Sequence, residues 1–225
     1  MSKQEYSKKA RVHTVYKTKD DKRVPGVTTI VGMLGWNKNV LVRWANNLGI
    51  KGIDSSKFVD DKADIGKLAH LMITDWLCGK KTNTDDYTKN QIDQAENSVL
   101  SFFEWEKSHK IKPILIEGEL VSEEHKFGGT ADIYGEINGD TELIDLKTGS
   151  GIYPEMIIQV SAYKSLLEEH EHRVDKVRIL NIPRSENESF KEQVVENHDV
   201  GWKIFLNCLS IYKLKKELKN GGRSQ

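Results

Sequence analysis

The dipeptide Asn138-Gly139 is the feature that most constrains how this chain can fold. Both central residues of a tight type I′ hairpin turn need a positive φ angle, and asparagine and glycine adopt such angles most readily. The dipeptide lies between two runs with strand character, 127–137 and 141–148. The sequence therefore predicts an antiparallel hairpin whose register is set by the turn.

This register would bring two carboxylates together. Asp132 stands six positions before Asn138, and Asp145 stands six positions after Gly139, so the two aspartates should face each other. Like charges facing each other across a sheet destabilise it by up to ~1 kcal/mol, so a cation between them is the simplest reason for the arrangement. Side chains alternate along a strand, which places Lys147 on the face of Asp145.

Composition limits the class of protein. A length of 225 residues suits one well-buried core and is short for two domains with a linker. The 34 basic and 34 acidic residues balance, so any site for a polyanion must be local. Cys78 and Cys208 cannot supply an all-cysteine zinc or iron–sulfur site. With no apolar leader and no apolar run of membrane length, we expect a soluble, cytoplasmic protein.

Two polar residues fall on otherwise apolar helical faces. Gln159 lies four positions before Tyr163, and an unsatisfied buried amide costs ~1–3 kcal/mol, so it needs a partner. That partner is either a group of a site, including a bound phosphate, or the backbone of a nearby loop. His70, one turn after Gly66, is either a packing residue or a metal ligand, and only an acidic cluster beside it would favour the ligand. Glu117 could contribute to such a cluster or lie on a solvated strand face.

Five motifs in this order resemble those of the PD-(D/E)XK nuclease superfamily, in its RecB-like branch of phage and mitochondrial genome-maintenance exonucleases. The resemblance covers about 24–165 and rests on 24–30 with Leu41 and Trp44, the GxxxH pattern at 66–70, 129–132, 145–148, and the QxxxY pattern of Gln159 and Tyr163. The chain departs from the pattern at Asp145, where the family often has glutamate. Related adaptation nucleases carry an iron–sulfur cluster, which two cysteines cannot build, so no such cluster is expected.

The resemblance implies an α/β, restriction-endonuclease-like fold with a mixed sheet flanked by helices. Runs of helical and strand periodicity along the chain agree with a mixed sheet rather than a regularly alternating parallel one. We expect one nuclease domain spanning 1–225. It would comprise a mainly helical part over 1–110, a catalytic sheet and helix over 111–197, and a C-terminal helix and tail over 198–225.

The resemblance also implies a chemistry, the hydrolysis of phosphodiester bonds with one or two Mg²⁺ or Mn²⁺ ions. The implied metal ligands are His70, Asp132, Asp145, the Leu146 carbonyl and Glu117. Lys147 would orient the attacking water and stabilise charge in the transition state. The remaining catalytic positions are Gln159 and Tyr163, and the implied substrate-binding positions are Thr28, Thr29, Thr148, Gln159 and Tyr163.

We therefore expect a metal-dependent DNA exonuclease that acts at ends of single- or double-stranded DNA, in recombination, repair or replication, with phage origin as one option. A single-strand-binding or annealing protein is the expected protein partner, and no membrane is involved. One alternative is a structure-specific or restriction-type endonuclease. Another is a nuclease-fold DNA-binding protein that does not cut, although such a protein has no need of Asp132, Asp145 and Lys147 together. A small-molecule metal hydrolase would lack salt-dependent DNA binding.

Overall fold

The computed structural model describes residues 14–221 and contains one five-stranded sheet with strands in the order of the chain. The strands are β1 (Lys112–Ser122), β2 (Phe127–Ile137), β3 (Asp140–Lys147), β4 (Lys176–Asn181) and β5 (Lys191–Val194). β3 and β4 run parallel, whereas the other neighbouring strands are antiparallel. The predicted fold class, a mixed sheet flanked by helices, is confirmed.

Six helices accompany the sheet in the described residues 14–221. They are α1 (Val27–Val31), α2 (Lys38–Ile50), α3 (Ser55–Leu77), α4 (Lys89–His109), α5 (Pro154–Glu169) and α6 (His198–Gly221). Asp54 caps α3 by accepting hydrogen bonds from the amides of Ser56 and Lys57. None of these helices combines the length and the apolar character that a membrane crossing requires.

The alternation of residue types at 11–17 in the sequence is typical of a short strand, but no strand forms in the part of this segment that the structure describes. Residues 11–13 lie outside the described residues. Residues 14–17 make one isolated bridge, between Lys17 and Arg23, instead of a strand. The alternating pattern was misleading because the segment finds no neighbouring strand, and extended backbone without a ladder partner is not a strand.

Each face of the sheet carries its own hydrophobic cluster. Tyr134 and Leu143 belong to the cluster shared with α1, α5 and α6, whereas Ile133 and Ile144 belong to the cluster shared with α3 and α4. The alternation along β3 leaves Asp145, between the buried Ile144 and Leu146, on the face toward α5. A charged residue is thus placed at the centre of an apolar layer.

The hairpin forms as predicted, but its ladder ends just before the aspartates. Asn138 and Gly139 have φ angles of +52° and +93°, and the pairing follows the predicted register as far as Ile133 and Ile144. Beyond that pair β2 and β3 no longer bond to each other, although each keeps the neighbour on its other edge, β1 for β2 and β4 for β3. Asp132 therefore stands where the two strands separate, and it is not in a ladder pair with Asp145.

Candidate active site

The Asp132 side chain fills the opening between β2 and β3. Its Oδ2 accepts a hydrogen bond of 2.8 Å from the Leu146 amide and lies 3.7 Å from Nδ1 of His70 on α3. Burial raises the pKa of Asp132, while the Lys147 ammonium and the Leu146 amide oppose that shift. The carboxylate thus ties the diverging strands together and remains available to a cation on its other oxygen.

Asp145 is the most deeply buried of the charged residues gathered here, with only 1% of its side chain exposed. Its carboxylate contacts the Lys147 ammonium, but within residues 14–221 neither of its oxygens has a hydrogen bond of regular geometry. Burial raises the pKa of Asp145, Lys147 lowers it and Asp132 raises it further. Burying an ion costs several kcal/mol unless partners satisfy it, so this carboxylate fits a site that takes up a second cation.

Glu117 reaches the site through an unusual backbone conformation. Its φ of +49° is rare for a residue with a side chain, and such strain costs ~1–3 kcal/mol and is concentrated at functional sites. The pairs on either side are Ile116 with Ile133 and Gly118 with Ala131, so Glu117 lies opposite Asp132 where both strands are distorted. Ala131 and Ile133 consequently pack in different clusters, although two residues apart on a regular strand share a face.

Glu117, His70 and Asp132 form a compact set of donor atoms. One ligand atom from each lies within 4.8 Å of the other two. Although Glu117 is exposed as a whole residue, partial burial of its carboxylate, repulsion from Asp132 and repulsion from Glu119 raise its pKa to about 7. Asp145 lies outside this triad, and in the structure its carboxylate contacts the Lys147 ammonium. Glu117, for which the sequence left open a ligand or a solvated strand face, thus lies close to His70 and Asp132.

His70 lies beside the acidic pair that would make it a ligand. Although a quarter of its side chain is exposed, desolvation lowers the pKa of His70 to about 4, with a further decrease from the Lys147 charge. The Asp145 charge and the nearby Leu146 carbonyl oppose this shift. The imidazole is therefore neutral near pH 7, which is the form that binds metal ions.

Gly66 explains how the helix and the loop after β3 come so close. A Cβ atom at Gly66 would lie 2.6 Å from Oγ1 of Thr148, so only glycine allows this approach. Gly66 lies one turn before His70 on α3, and Thr148 directly follows Lys147. The predicted substrate-binding residue Thr148 thus lies between the helix and the site, and it fixes their separation.

Gln159 finds its partner on its own helix. Its Nε2 donates a hydrogen bond of 2.7 Å to the Tyr163 hydroxyl, so the partner is not loop backbone. Burial raises the pKa of Tyr163 well above its usual range, and the Asp145 charge adds to the increase. The phenol stays protonated and is free to donate its own hydrogen. A Cβ at Gly129 would lie 2.7 Å from Cε1 of Tyr163, so this glycine makes room for the ring.

Tyr16 is a part of the site that the sequence analysis missed. Its hydroxyl forms a hydrogen bond of 2.8 Å with Oγ1 of Thr130, two residues before Asp132. Burial raises the pKa of Tyr16, the hydrogen bond with Thr130 opposes the shift, and the charges of Glu119 and Glu117 add to the increase. A Cβ at Gly128 would lie 2.4 Å from the Tyr16 ring. The Gly128-Gly129 pair inside a strand is the sequence signal for such close approach.

Thr28 and Thr29 lie apart from the carboxylates, on the exposed side of α1. They line a cavity of about 540 Å³ whose other polar walls include Tyr16, Arg23, Tyr212 and Lys216. Neither Arg23 nor Lys216 forms an ion pair with any residue of the described chain. Tyr16 joins the two regions, since its hydroxyl bonds to Thr130 beside the carboxylates. Sequence reasoning missed both cations because they come from opposite ends of the chain.

Comparisons with known proteins show likeness in structure only. No protein-family model and no curated protein matches the chain. A crystal structure from Eubacterium rectale, of a protein assigned as an exonuclease, shares 13% identity over 70% of this chain and 68% of its own, with a TM-score of 0.49. LHK-Exo, an alkaline exonuclease of Laribacter hongkongensis solved with dAMP, shares 15% identity over 70% of this chain and 83% of its own, with a TM-score of 0.42. These likenesses are partial, and the functional assignment rests on the site.

Proposed function

We propose that this protein is a metal-dependent deoxyribonuclease that degrades DNA from its ends. The observation that carries the proposal is the triad of Glu117, His70 and Asp132, whose donor atoms lie within 4.8 Å of one another beside the buried contact of Asp145 with Lys147. Two or three carboxylates with one imidazole suit Mg²⁺ or Mn²⁺ better than a thiophilic ion. The poorly satisfied carboxylate of Asp145 and the strained backbone of Glu117 also fit a cation site.

The metal would be held by the triad, with Asp145 and the Leu146 carbonyl completing the set. A divalent ion bound there supplies polarisation of the phosphate and lowers the pKa of bound water. Asp132 keeps its hydrogen bond from the Leu146 amide in this arrangement, so its free oxygen is held at a fixed orientation. Neutral His70 adds a ligand without the cost of removing a proton at neutral pH.

Lys147 would serve the reaction as a cation with three N–H donors. In the structure its ammonium contacts Asp145, and 18% of the side chain is exposed, so it reaches both the carboxylate and the open site. We propose that it holds the attacking water and balances the negative charge that grows on the phosphate. Its pairing with Asp145 keeps it in place when DNA is absent.

Tyr163 and Gln159 would position the phosphate. The Gln159 amide donates to the Tyr163 oxygen, which leaves the phenolic hydrogen for an oxygen of the DNA backbone. Because burial keeps Tyr163 protonated, that donor persists into alkaline solution. Tyr163 is therefore proposed as a substrate contact and Gln159 as the residue that orients it.

The cavity at α1 would accept the phosphodiester backbone next to the reacting bond. Thr28 and Thr29 offer hydroxyl groups, and Arg23 and Lys216 offer cations without acidic partners in the described residues. Phosphate groups are bound in proteins by this combination of charge and hydroxyl donors. A small-molecule hydrolase would have no use for a second anion site of this size, which favours a polymer substrate.

The remaining proposals concern context. We propose that residues 1–225 act as one nuclease domain inside the cell, where DNA is available and where the thiols of Cys78 and Cys208 stay reduced. Recombination, repair and replication are the processes that need DNA shortened from its ends, and a single-strand-binding or annealing protein is the partner class that would take up the exposed strand. A phage origin is compatible with this role.

One cleavage experiment tests the function. The protein is incubated with end-labelled or internally labelled DNA, single- or double-stranded, and with closed circles, in Mg²⁺, Mn²⁺ or EDTA. We expect metal-dependent release of mononucleotides or short oligomers from linear DNA only, and no release by the Lys147→Ala variant. Cutting of closed circles would instead show an endonuclease. DNA binding without products in any metal would show a non-cleaving binding protein.

A further inference from the structure

Helix α2 is poorly covered by the rest of the protein. None of its 13 residues is buried, whereas every other helix of the described chain buries at least three. Its large apolar residues Val40, Leu41, Val42 and Ile50 are 57% to 77% exposed, and Trp36 just before it is 52% exposed. An isolated helix of this length is marginally stable in water, so α2 is a segment that a ligand would order.

The charge of this segment has one sign. Between residues 24 and 53 the sequence contains no aspartate or glutamate, and its basic residues are Lys38, Arg43 and Lys51. None of the three forms an ion pair with any residue of 14–221. The surface of α2 is therefore complementary in charge to a polyanion, even though the whole chain has a formal net charge of zero.

The helix begins next to the candidate active site. Nδ2 of Asn37 donates a hydrogen bond of 2.9 Å to Oε1 of Glu155, in the first turn of α5 and one turn before Gln159. The other contact of α2 is with α3, where the rings of Trp44 and Phe58 meet edge to face at 5.8 Å. Since α3 carries His70 and α5 carries Gln159, α2 connects the two helices that border the site.

The distribution of side chains favours a nucleic acid over a bilayer. The apolar face of α2 that carries Trp44, Ala45 and Leu48 is half-buried and contacts α3 through Trp44. Consecutive helical residues point about 100° apart, so the exposed Val40, Leu41 and Val42 face three directions and leave no single open apolar face of the kind that a membrane surface needs. Four amides, those of Asn37, Asn39, Asn46 and Asn47, lie exposed among them. An aromatic ring, amides and cations together are the groups that stack on unpaired bases, bond to base edges and neutralise phosphates.

We propose that α2 and the preceding Trp36 bind a single-stranded segment of the substrate at the entrance of the active site. A duplex offers this surface its phosphates but hides the base faces that Trp36 and the aliphatic side chains would contact. The inference rests on the proposed function only in taking DNA as the ligand, and it adds a preference for an unpaired strand next to the scissile bond.

The test measures binding in EDTA, so that it does not depend on cleavage. Fluorescence anisotropy follows labelled oligothymidylate of about 20 nucleotides, and separately a duplex of equal length, with the whole protein. Trp36→Ala should weaken single-strand affinity about tenfold, because one stacked base is lost, and change duplex affinity less than about twofold. Arg43→Gln should reduce the slope of log affinity against log salt by about 0.7 for the single strand.

Matched controls come from other helices of the protein. Leu100→Ala on α4 and Lys80→Gln after α3 remove an exposed apolar side chain and an exposed cation, and both variants should bind the single strand as the wild type does. Amide hydrogen exchange gives a second readout, since addition of the oligonucleotide should slow exchange in 38–50 more than in any other helix.

Three results would overturn the inference. One is unchanged single-strand affinity and salt slope in Trp36→Ala and Arg43→Gln. Another is binding to vesicles of anionic lipid that these variants lose while DNA binding persists, which would make α2 a membrane contact. The third is a self-association that the variants abolish, which would make it an interface between copies. Each of these three results can be obtained with a protein that cleaves DNA, so the inference can fail while the proposed function holds. Conversely, α2 can bind a single strand in a protein that does not cleave, so the proposed function can fail while the inference holds.

Discussion

Glu117 and Asp132 lie opposite each other on adjacent strands where the ladder between β1 and β2 is interrupted, and His70 completes a triad with them. Glu117 adopts a positive φ at this position, and repulsion contributes to its raised pKa of about 7. The fold thus maintains a strained and electrostatically unfavourable pair of carboxylates, which a bound cation would relieve.

Glu117→Gln should therefore change how stability depends on pH in EDTA. The folded-state pKa of Glu117, about 7, lies above its ordinary value of 4.5, so its contribution to folding is present below pH 4.5 and is lost as the pH rises toward 7. The variant lacks this loss, so its melting temperature should gain on that of the wild type as the pH rises. Thermal melts from about pH 4 to about pH 8 measure it. A difference in melting temperature that stays constant across this pH range would show that the pKa of Glu117 is not raised in the folded protein.

Asp132→Asn and Asp132→Ala form a matched pair that separates charge from hydrogen bonding. Asparagine keeps an oxygen that can accept from the Leu146 amide, so in EDTA this variant should melt at or above the wild type, since repulsion is removed. Alanine leaves that buried amide without a partner, which costs ~1–3 kcal/mol. Both variants should lose most of the stabilisation that Mn²⁺ gives the wild type. Equal melting temperatures for the two variants in EDTA would remove the strand-joining role of Asp132.

Lys147→Ala should reduce stability as well as activity. Removal of the ammonium leaves Asp145 buried without its counter-charge, and breaking a buried ion pair costs ~3–5 kcal/mol when the remaining group stays charged. The loss should shrink at acid pH, where Asp145 can take up a proton, and the double variant with Asp145→Asn should recover much of it. Chemical denaturation of the three proteins tests this. Activity above about a tenth of wild type in Lys147→Ala would exclude its transition-state role.

Gly66→Ala should disturb the site from outside it. The added methyl group would lie 2.6 Å from Oγ1 of Thr148, so the Thr148 side chain must rotate or its loop must shift, and either change disturbs the contact between α3 and the loop after Lys147. We expect weaker Mn²⁺ affinity by calorimetry, and recovery in the double variant with Thr148→Ala, because that change removes the clash. Gly49→Ala on α2 is the control, since no atom lies within 4 Å of its Cβ position. Additive effects of Gly66→Ala and Thr148→Ala would rule out this contact.

Local signals in the sequence predicted much of the fold. The turn at Asn138-Gly139 set the hairpin register, Asp54 is a residue type that commonly caps a helix and stands at the start of α3, and Pro154 stands in the first turn of α5, where proline is favoured. Each of these depends on residues close to one another in the chain. The predicted pairing of Asp132 with Asp145 was wrong because β2 and β3 separate after Ile133 and Ile144, and there the Asp132 side chain, not a backbone carbonyl, accepts from the Leu146 amide.

The parts of the site that the sequence did not reveal depend on distant contacts. Tyr16 meets Thr130 across 114 positions, and Arg23 and Lys216 meet only in the folded chain. The positive φ of Glu117 has no glycine or asparagine to signal it, since it occurs at a glutamate within strand β1. Residue types in the sequence indicate the backbone angles that each residue prefers, and a strained residue such as Glu117 departs from that preference.

The central claim is that Glu117, His70 and Asp132 hold a divalent ion for DNA cleavage. Its most direct test is the rate at which end-labelled linear DNA is degraded, measured as a function of Mn²⁺ concentration. The wild type should degrade DNA with Mn²⁺ and not with EDTA. His70→Ala should need a higher Mn²⁺ concentration for half-maximal rate, with an unchanged melting temperature in EDTA, because a ligand and not a packing residue is lost. Degradation that persists in EDTA, absence of degradation at every metal concentration, or an unchanged metal dependence in His70→Ala would contradict the account.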